Sequence, residues 1–199
     1  MGGADLEALK QLLTRKHVSF AGKYFQFQDV TIDPLPPHMP EVWIAGGSRT
    51  PDPLSPDKPY MVRTVLDRIA RHADVFTVRA SGSQELVKRD IQTVHDHLRS
   101  TGRDPTALRY SHVQALYAVE TTDHEEALRL QRPHFETLMG RHRSFEHLQE
   151  CYLMGTIEEI VTRLQDLERA GLQHVAIHPA APEIEQLELW AARIVPRLQ

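Results

Sequence analysis

The sequence lacks the features that several classes of protein require. It contains one cysteine, Cys151, so no internal disulfide can form, which favours a reducing compartment. No apolar run reaches the ~18 residues of a membrane-spanning helix, and the charged stretch soon after Met1 does not fit a secretory signal. The sequence has no stretch rich in lysine and arginine that would indicate nucleic-acid binding. We therefore expect a cytoplasmic protein that binds neither nucleic acid nor membrane.

The composition that is present is that of a globular domain. The chain has 199 residues, a formal net charge of -4 and 41% hydrophobic residues, which suffices for a sizeable core. We expect a single domain over residues 1–199, without internal repeats. Residues 1–40 would contribute a helix, a hairpin and a proline-rich crossing segment, and residues 41–199 a series of strand–helix units.

The first part of the chain changes its periodicity twice. Leucines at helical spacing predict a helix over residues 5–14. The stretch "VSFAGKYFQFQDVTI" then alternates aromatic and polar residues around a glycine, which predicts a β-hairpin of residues 18–20 and 24–27. "DPLPPHMP" carries four prolines and cannot be helical, so we expect an extended segment.

Short apolar strands then alternate with amphipathic helices. Strands are predicted at "EVWIA", 74–78, 109–119 and "HVAIH", and helices at 60–72, from a cap at Ser81 to about residue 100, from a cap at Thr122 to about residue 139, and at 157–170 and 183–198. The expected helix-start signals are Asp57 with Pro59, Ser81 with Gln84, Thr122 with Glu125 and Thr156 with Glu159, and Gly171 is an expected C-cap. Residues 140–155 look like a polar connection. This alternation predicts an α/β fold with parallel strands.

A glycine turn follows the first of these strands. Gly46, Gly47 and Ser48 come at its carboxyl end, Arg49 follows, and Arg79 follows the next strand. Ligands of parallel α/β folds bind at that edge, and close backbone N–H groups with a nearby cation suit a phosphate. Gly-Gly also serves simply to turn a chain, and both interpretations stay open.

Several motifs in a fixed order resemble those of the luciferase-like monooxygenases. The segment "VSFAGKYFQFQDVTIDPLPPHMPEVWIAGGS" has the family's aromatic hairpin, proline-rich crossing and strand ending in Gly-Gly-Ser. "RIARHADVF", "MGTIEEIVTRLQDLERAGLQHVAIHP" and "LELWAARIVPRLQ" are similar to later family patterns. The resemblance implies a partial (β/α)8 TIM barrel, its C-terminal portion, with about four βα units preceded by a β-hairpin.

The resemblance also implies a function. It suggests a flavin-dependent monooxygenase that uses reduced FMN, supplied by a flavin reductase, and oxygen on a small organic substrate. In this reading Gly46, Gly47 and Ser48 bind the cofactor phosphate, with Arg49 and Arg79 as further contacts. The alternatives are a deazaflavin-dependent oxidoreductase and a non-catalytic flavin-binding or subunit protein.

Two departures from the family pattern affect that expectation. The segment 49–59, "RTPDPLSPDKP", with four prolines, separates the glycine turn from the next helix. A full barrel needs eight strands and ~250 residues, and this chain supplies four βα units. We therefore expect weak or no catalysis from this chain alone, and either a homo-oligomer or a completing N-terminal chain.

Other polar residues are weaker candidates. His112, within a predicted strand, and His178, at the end of the last one, are possible catalytic groups, although a hydrogen-bonded core histidine is the simpler reading of His112. No metal site is expected, because no H-E-x-x-H motif or cysteine pair occurs among the 12 histidines and one cysteine. Cys151 lacks a sequence setting for nucleophilic catalysis, and Asp74 is expected to have a structural role.

Overall fold

The chain forms a mixed α/β structure. A computed structural model describes residues 3–48, 60–80 and 82–198, with side chains from residue 6 onward. The elements in these ranges are α1 (Gly3–Thr14), β1 (Val18–Ala21), β2 (Gln26–Val30), β3 (Trp43–Gly46), α2 (Arg63–His72), β4 (Val75–Val78), α3 (Gln84–Ser100), β5 (Arg109–Leu116), α4 (His124–Met139), α5 (Phe145–Cys151), α6 (Ile157–Arg169), β6 (His174–Pro179) and α7 (Ile184–Arg193). Short 3₁₀ turns cover Pro105–Ala107 and Val195–Arg197.

The strands form the two sheets that the sequence predicts. β1 and β2 pair antiparallel as a hairpin, in which Gly22 N–H donates to the carbonyl of Phe25 and places Phe25 in the turn. Strand β2 therefore begins at Gln26, two residues later than predicted. The other four strands are all parallel, in the order β3-β4-β5-β6, so their carboxyl ends lie at one edge.

Helices bury the sheet through three apolar clusters. The first packs α2 and α3 on β3, β4 and β5, the second packs α6 and α7 near the end of β5, and the third packs α4 and α5 around Ala115. Their central side chains are Ile69, Phe76 and Leu98 in the first, Leu116, Ile160 and Trp190 in the second, and Phe135, Leu148 and Tyr152 in the third. Because Ala115 and Leu116 alternate along β5, the first two clusters cover one face of the sheet, whereas the third reaches the opposite face at its carboxyl end.

That opposite face is concave. Trp43 on β3 contacts His174 on β6 edge-on, with ring centroids 5.3 Å apart. These are the two edge strands of the four, and a flat sheet with strands about 4.8 Å apart would separate them by roughly 14 Å. The sheet must therefore curve strongly toward this side. Trp43 is 45% exposed and Val113 37% exposed on it.

Several predicted helix boundaries were wrong by a few residues. α2 begins at Arg63 after an N-cap, Val62, that makes no side-chain cap, whereas Asp57 and Pro59 lie outside the described residues. The N-cap of α3 is Ser83, whose hydroxyl accepts from Leu86 N–H; Ser81 also lies outside the described residues. In α4 the N-cap is Asp123, because its carboxylate reaches Glu126 N–H.

Two other helical predictions need correction. The stretch read as a polar connection contains α5, which begins after the N-cap Ser144 and buries Leu148 and Cys151. The last helix ends at Arg193 rather than continuing to Leu198, because Pro196 has no N–H to continue an α-helix. By contrast, the predicted capping box of Thr156 and Glu159 forms in full at the start of α6.

Two buried glutamines continue the backbone pairing beyond β5. Gln131 of α4 donates to the carbonyls of Tyr117 (2.8 Å) and Gly155 (2.9 Å) and accepts from Gly155 N–H (2.8 Å). Gln186 of α7 accepts from Ala118 N–H (2.7 Å) and donates to the carbonyl of the same residue (3.1 Å). These amides satisfy buried backbone groups and fix α4 and α7 against the loops beyond the strand.

Within the described ranges, none of the helices has the length and apolar character needed to cross a bilayer.

Candidate functional site

The predicted glycine turn lies where two neighbouring strands end. Gly46 and Val78 are paired as the last residues of β3 and β4, so Gly47 and Arg79 follow side by side. A Cβ atom built on Gly47 would lie 2.9 Å from Cβ of Arg79. The structure thus brings together the turn and the arginine, as strand order predicts for parallel strands.

Gly47 is needed here by both backbone and packing. Its φ is +154°, and a Cβ atom would also lie 3.0 Å from Oδ2 of Asp90. Neither neighbour can yield easily, since one is the first carbon of a side chain and the other a buried carboxylate. A side chain at this position would therefore force the two loops apart.

Ser48 is held from the helix side of the turn. Its N–H donates to Oδ2 of Asp90 (2.7 Å) and its hydroxyl donates to Oδ1 (2.5 Å). Both residues are 2% exposed. No sequence motif pairs these two residues, which are 42 positions apart. Both donors predicted for a phosphate are thus bound to a carboxylate of α3.

The cation of the site is Arg79. Its side chain is exposed, and it forms no ion pair with another of the described residues. Arg49, the other predicted contact, lies outside the described residues. Among the residues described, the groups suited to an anionic cofactor are therefore the Gly46–Gly47 backbone and the Arg79 guanidinium.

His112 lies on the helix-facing side of β5 and is fully buried. It alternates with Ser111 and shares its face with Tyr110, which packs in the first apolar cluster. Its Nδ1 lies 3.1 Å from the carbonyl of Val78, and its Nε2 lies 2.7 Å from Nε2 of Gln114. A carbonyl only accepts, so Nδ1 carries the proton and Nε2 accepts from the amide. This arrangement matches the core-histidine interpretation.

Burial lowers the pKa of His112 below its ordinary 6.5, partly offset by the hydrogen bond to Val78. Below about pH 6.5 this histidine is protonated in the unfolded chain but stays neutral in the folded chain until a lower pH. The free energy of unfolding should therefore fall as the pH drops below about 6.5. One such group changes that free energy by at most about 1.4 kcal/mol per pH unit. We expect urea unfolding at pH 7.5 and 5.5 to show a smaller pH effect in His112→Asn than in the wild type. Equal pH effects in the two proteins would contradict this placement of the proton.

His178 lies at the carboxyl end of β6 on the concave face. It pairs in register with Ala115 and alternates with Ile177, which packs toward α6 and α7. The ring is exposed, and its Nδ1 is 2.8 Å from the carbonyl of Pro179. If Nδ1 donates there, Nε2 is left to meet a ligand in the concavity. A catalytic role for His178 stays a prediction.

The remaining candidates have structural surroundings. Asp74 accepts from Val42 N–H (2.8 Å) and so anchors the entry to β3, which agrees with the structural role expected of it. Cys151 is buried at the end of α5, and burial raises the pKa of its thiol, which disfavours the nucleophilic thiolate. In residues 3–48, 60–80 and 82–198, no cluster of three or more histidine, cysteine, aspartate or glutamate side chains could hold a metal ion.

A separate cleft of about 750 Å³ lies between the amino ends of α3, α4 and α6. Its lining includes Glu85, Glu150 and Glu158, together with an ion pair of His124 and Glu159. The hydrogen bond that His124 donates to the Glu159 carboxylate raises the pKa of His124. The lining does not include the glycine turn or Arg79, and its carboxylates would repel an anionic cofactor.

Comparison with solved structures finds similar proteins, whereas comparison with family models and curated proteins finds none. No protein-family model matches the sequence, and no curated protein matches it significantly. An F420-dependent secondary alcohol dehydrogenase in complex with an F420–acetone adduct is similar with a TM-score of 0.74 and 16% identity, over 99% of this chain. A monooxygenase from Streptomyces bottropensis follows with a TM-score of 0.69, 19% identity and 98% coverage. The coenzyme F420-dependent tetrahydromethanopterin reductase of Methanopyrus kandleri gives 0.63, 12% and 97%.

These similarities support the mixed α/β fold with parallel strands that the luciferase-like resemblance predicts, whereas the partial barrel stays a prediction. This chain spans 61%, 60% and 61% of the lengths of those three proteins. Other similar structures include a long-chain alkane monooxygenase and a riboflavin lyase containing modified FMN. The structural neighbours thus include F420-dependent enzymes, monooxygenases and a lyase that contains modified FMN, and this chain is similar to about three fifths of the first ones.

Proposed function

We propose that this chain is the cofactor-phosphate-binding part of a luciferase-like oxidoreductase, with reduced FMN as its cofactor and a small organic molecule as its substrate. The observation that carries the proposal is the contact of Gly47 with Arg79 at the ends of two parallel strands. It is joined by a fold that F420-dependent enzymes and monooxygenases share. Bound reduced FMN would supply the electrons for inserting an oxygen atom into the substrate.

The residues of the site fit an anionic group in part. Gly46 and Gly47 present main chain without side chains, and the exposed Arg79 supplies positive charge. The N–H and the hydroxyl of Ser48 are both hydrogen-bonded to Asp90. Ser48 would therefore fix the conformation of the turn rather than contact the phosphate. His178 would face the substrate across the concavity and position a polar group there.

A deazaflavin cofactor is the second candidate. Two of the five similar structures named above are F420-dependent. F420 also carries an anionic tail, which the same arginine would bind, whereas its ring would supply a hydride rather than activate oxygen. The phosphate-binding residues would bind either cofactor, so separate titrations with FMN and with F420 are needed to distinguish the two.

The proposal extends to partners. The curved four-stranded sheet has open edges at β3 and β6 among the described residues, and unpaired parallel edges favour association. We propose that a second copy or a chain carrying further βα units completes a (β/α)8 barrel, and that a flavin reductase supplies the reduced cofactor. A monomer in light scattering that sustains flavin-dependent turnover by itself would contradict this completion.

The phosphate site is tested by comparing FMN with riboflavin, which lacks the phosphate. We expect Arg79→Ala to weaken FMN binding about tenfold, the loss of one charge-assisted contact, and to leave riboflavin binding unchanged. Arg71→Ala is the matched control, because Arg71 is exposed at the end of α2, where β4 begins rather than ends. Fluorescence titration measures both ligands. Equal affinities of the wild type for FMN and riboflavin, or no FMN binding, would overturn the proposal.

A further inference from the structure

Asp90 is a buried carboxylate that no motif in the sequence identifies. It lies in the middle of α3 on the apolar stripe formed by Val87, Ile91 and Val94, and it is 2% exposed. Burying a carboxylate costs several kcal/mol unless hydrogen bonds compensate. The compensating donors shown by the structure are the N–H and the hydroxyl of Ser48. Two hydrogen bonds from Ser48 thus hold the Asp90 side chain in the core at the end of β3.

Asp90 binds the turn in the way that a phosphate would. Backbone N–H and serine hydroxyl groups at a glycine-rich turn are the usual donors to phosphate oxygens. Here the Ser48 N–H donates to one carboxylate oxygen of Asp90 at 2.7 Å, and the Ser48 hydroxyl donates to the other at 2.5 Å. The carboxylate therefore occupies from the helix side the donors that an external anion would need.

The position of Gly47 shows on which side a ligand can approach. The site of its missing Cβ is 3.0 Å from Oδ2 of Asp90 and 2.9 Å from Cβ of Arg79. The turn is therefore packed between the buried carboxylate of Asp90 on one side and Cβ of the exposed Arg79 on the other. With Ser48 turned inward, the groups left for a ligand are the Gly46–Gly47 peptide and the Arg79 guanidinium.

We propose that Asp90 is a positioning residue, which clamps Ser48 inward so that Gly46, Gly47 and Arg79 face a phosphate-bearing ligand. Ser48 then shapes the site without touching the ligand. This inference rests on the proposed function for its ligand, whereas the clamp itself is a property of the ligand-free chain. The two can therefore fail separately.

The clamp is tested on the ligand-free protein by NMR. Asp90→Asn replaces one acceptor oxygen with a donor, so we expect the Ser48 amide proton to move upfield and to exchange with solvent about tenfold faster. Asp96→Asn is the control, because Asp96 is exposed on the same helix and contacts Gln92 and His95. An unchanged Ser48 amide in Asp90→Asn would overturn the clamp, whether or not the protein binds FMN.

The effect on the ligand is tested by FMN titration of the full chain. We expect Asp90→Asn and Ser48→Ala each to weaken FMN binding about tenfold, without a further loss in the double variant, because both break one clamp. Ser48→Thr keeps the hydroxyl and should retain binding, and riboflavin affinity should not change in any variant.

Each other outcome counts against the inference. If Ser48→Ala weakens FMN binding and Asp90→Asn does not, Ser48 contacts the phosphate directly and Asp90 has no positioning role. If both variants bind FMN like the wild type, the turn needs no clamp. If the wild type binds no FMN, the proposed function fails and the ligand-directed role of Asp90 fails with it, while the NMR result still decides the clamp.

Discussion

Gln131→Leu is expected to lower the free energy of unfolding by at least about 3 kcal/mol. The leucine would leave the carbonyls of Tyr117 and Gly155 and the N–H of Gly155 without the bonds that Gln131 makes with them. Each buried backbone group left unsatisfied costs about 1–3 kcal/mol. Leucine has a similar volume to glutamine, so the loss reports hydrogen bonding rather than a cavity. Urea unfolding followed by circular dichroism measures it.

The matched control for this prediction is Gln92→Leu. Gln92 is exposed on α3, where its amide donates to the carboxylate of Asp96. We expect this variant to stay within about 0.5 kcal/mol of the wild type, as surface substitutions usually do. Similar losses in the two variants would mean that Gln131 does not support the backbone in the way described.

Gly47→Ala is expected to cost roughly 3 kcal/mol of unfolding free energy. Two effects add: an alanine at φ +154° is strained, and its Cβ would lie 2.9 Å from Arg79 and 3.0 Å from Asp90. Strained backbone and overpacking each cost about 1–3 kcal/mol. The same variant should lose FMN binding, because the loops can separate only by moving the turn from Arg79.

Gly102→Ala separates strain from crowding. Gly102 also has a positive φ, +79°, but a Cβ atom there would meet nothing within 4 Å. We expect it to show the strain alone, about 1 kcal/mol. Urea unfolding of both variants gives the comparison. If Gly47→Ala is as mild as Gly102→Ala, the close packing of Gly47 between Arg79 and Asp90 is wrong.

The sequence predicts most of the fold because the signals are local. The capping box of Thr156 and Glu159 forms as predicted, since both partners lie within one helical turn. The start of α4 was missed by one residue because Thr122 and Asp123 are both good caps, and only the backbone path decides between them. α5 was missed because its seven residues are too few to show a period, although Leu148 and Cys151 have helical spacing.

The candidate site was predictable only where strand order determines it. Gly47 and Arg79 follow adjacent parallel strands, so their proximity follows from the topology. Asp90 was not predicted, because a charged residue within a helix usually faces solvent. The signal was its place among Val87, Ile91 and Val94 on the apolar stripe.

Gln131 and Gln186 repeat this lesson. Each interrupts an apolar stripe: Gln131 falls between Leu128 and Phe135, and Gln186 lies four residues before Trp190. A polar residue on the buried side of a helix must find partners, but the sequence does not say which. The partners are backbone groups in distant loops, and helix packing alone brings them into reach.

The burial of Cys151 makes its thiol a natural reporter on the interior. Since the sequence holds no other cysteine, an alkylating reagent has a single place to react. Reaction requires the end of α5 to open away from its apolar cluster, so the labelling rate gives the frequency of that opening. Any molecule that stiffens α4 and α5 on binding would slow the labelling, and no mutation or chromophore is needed to observe it.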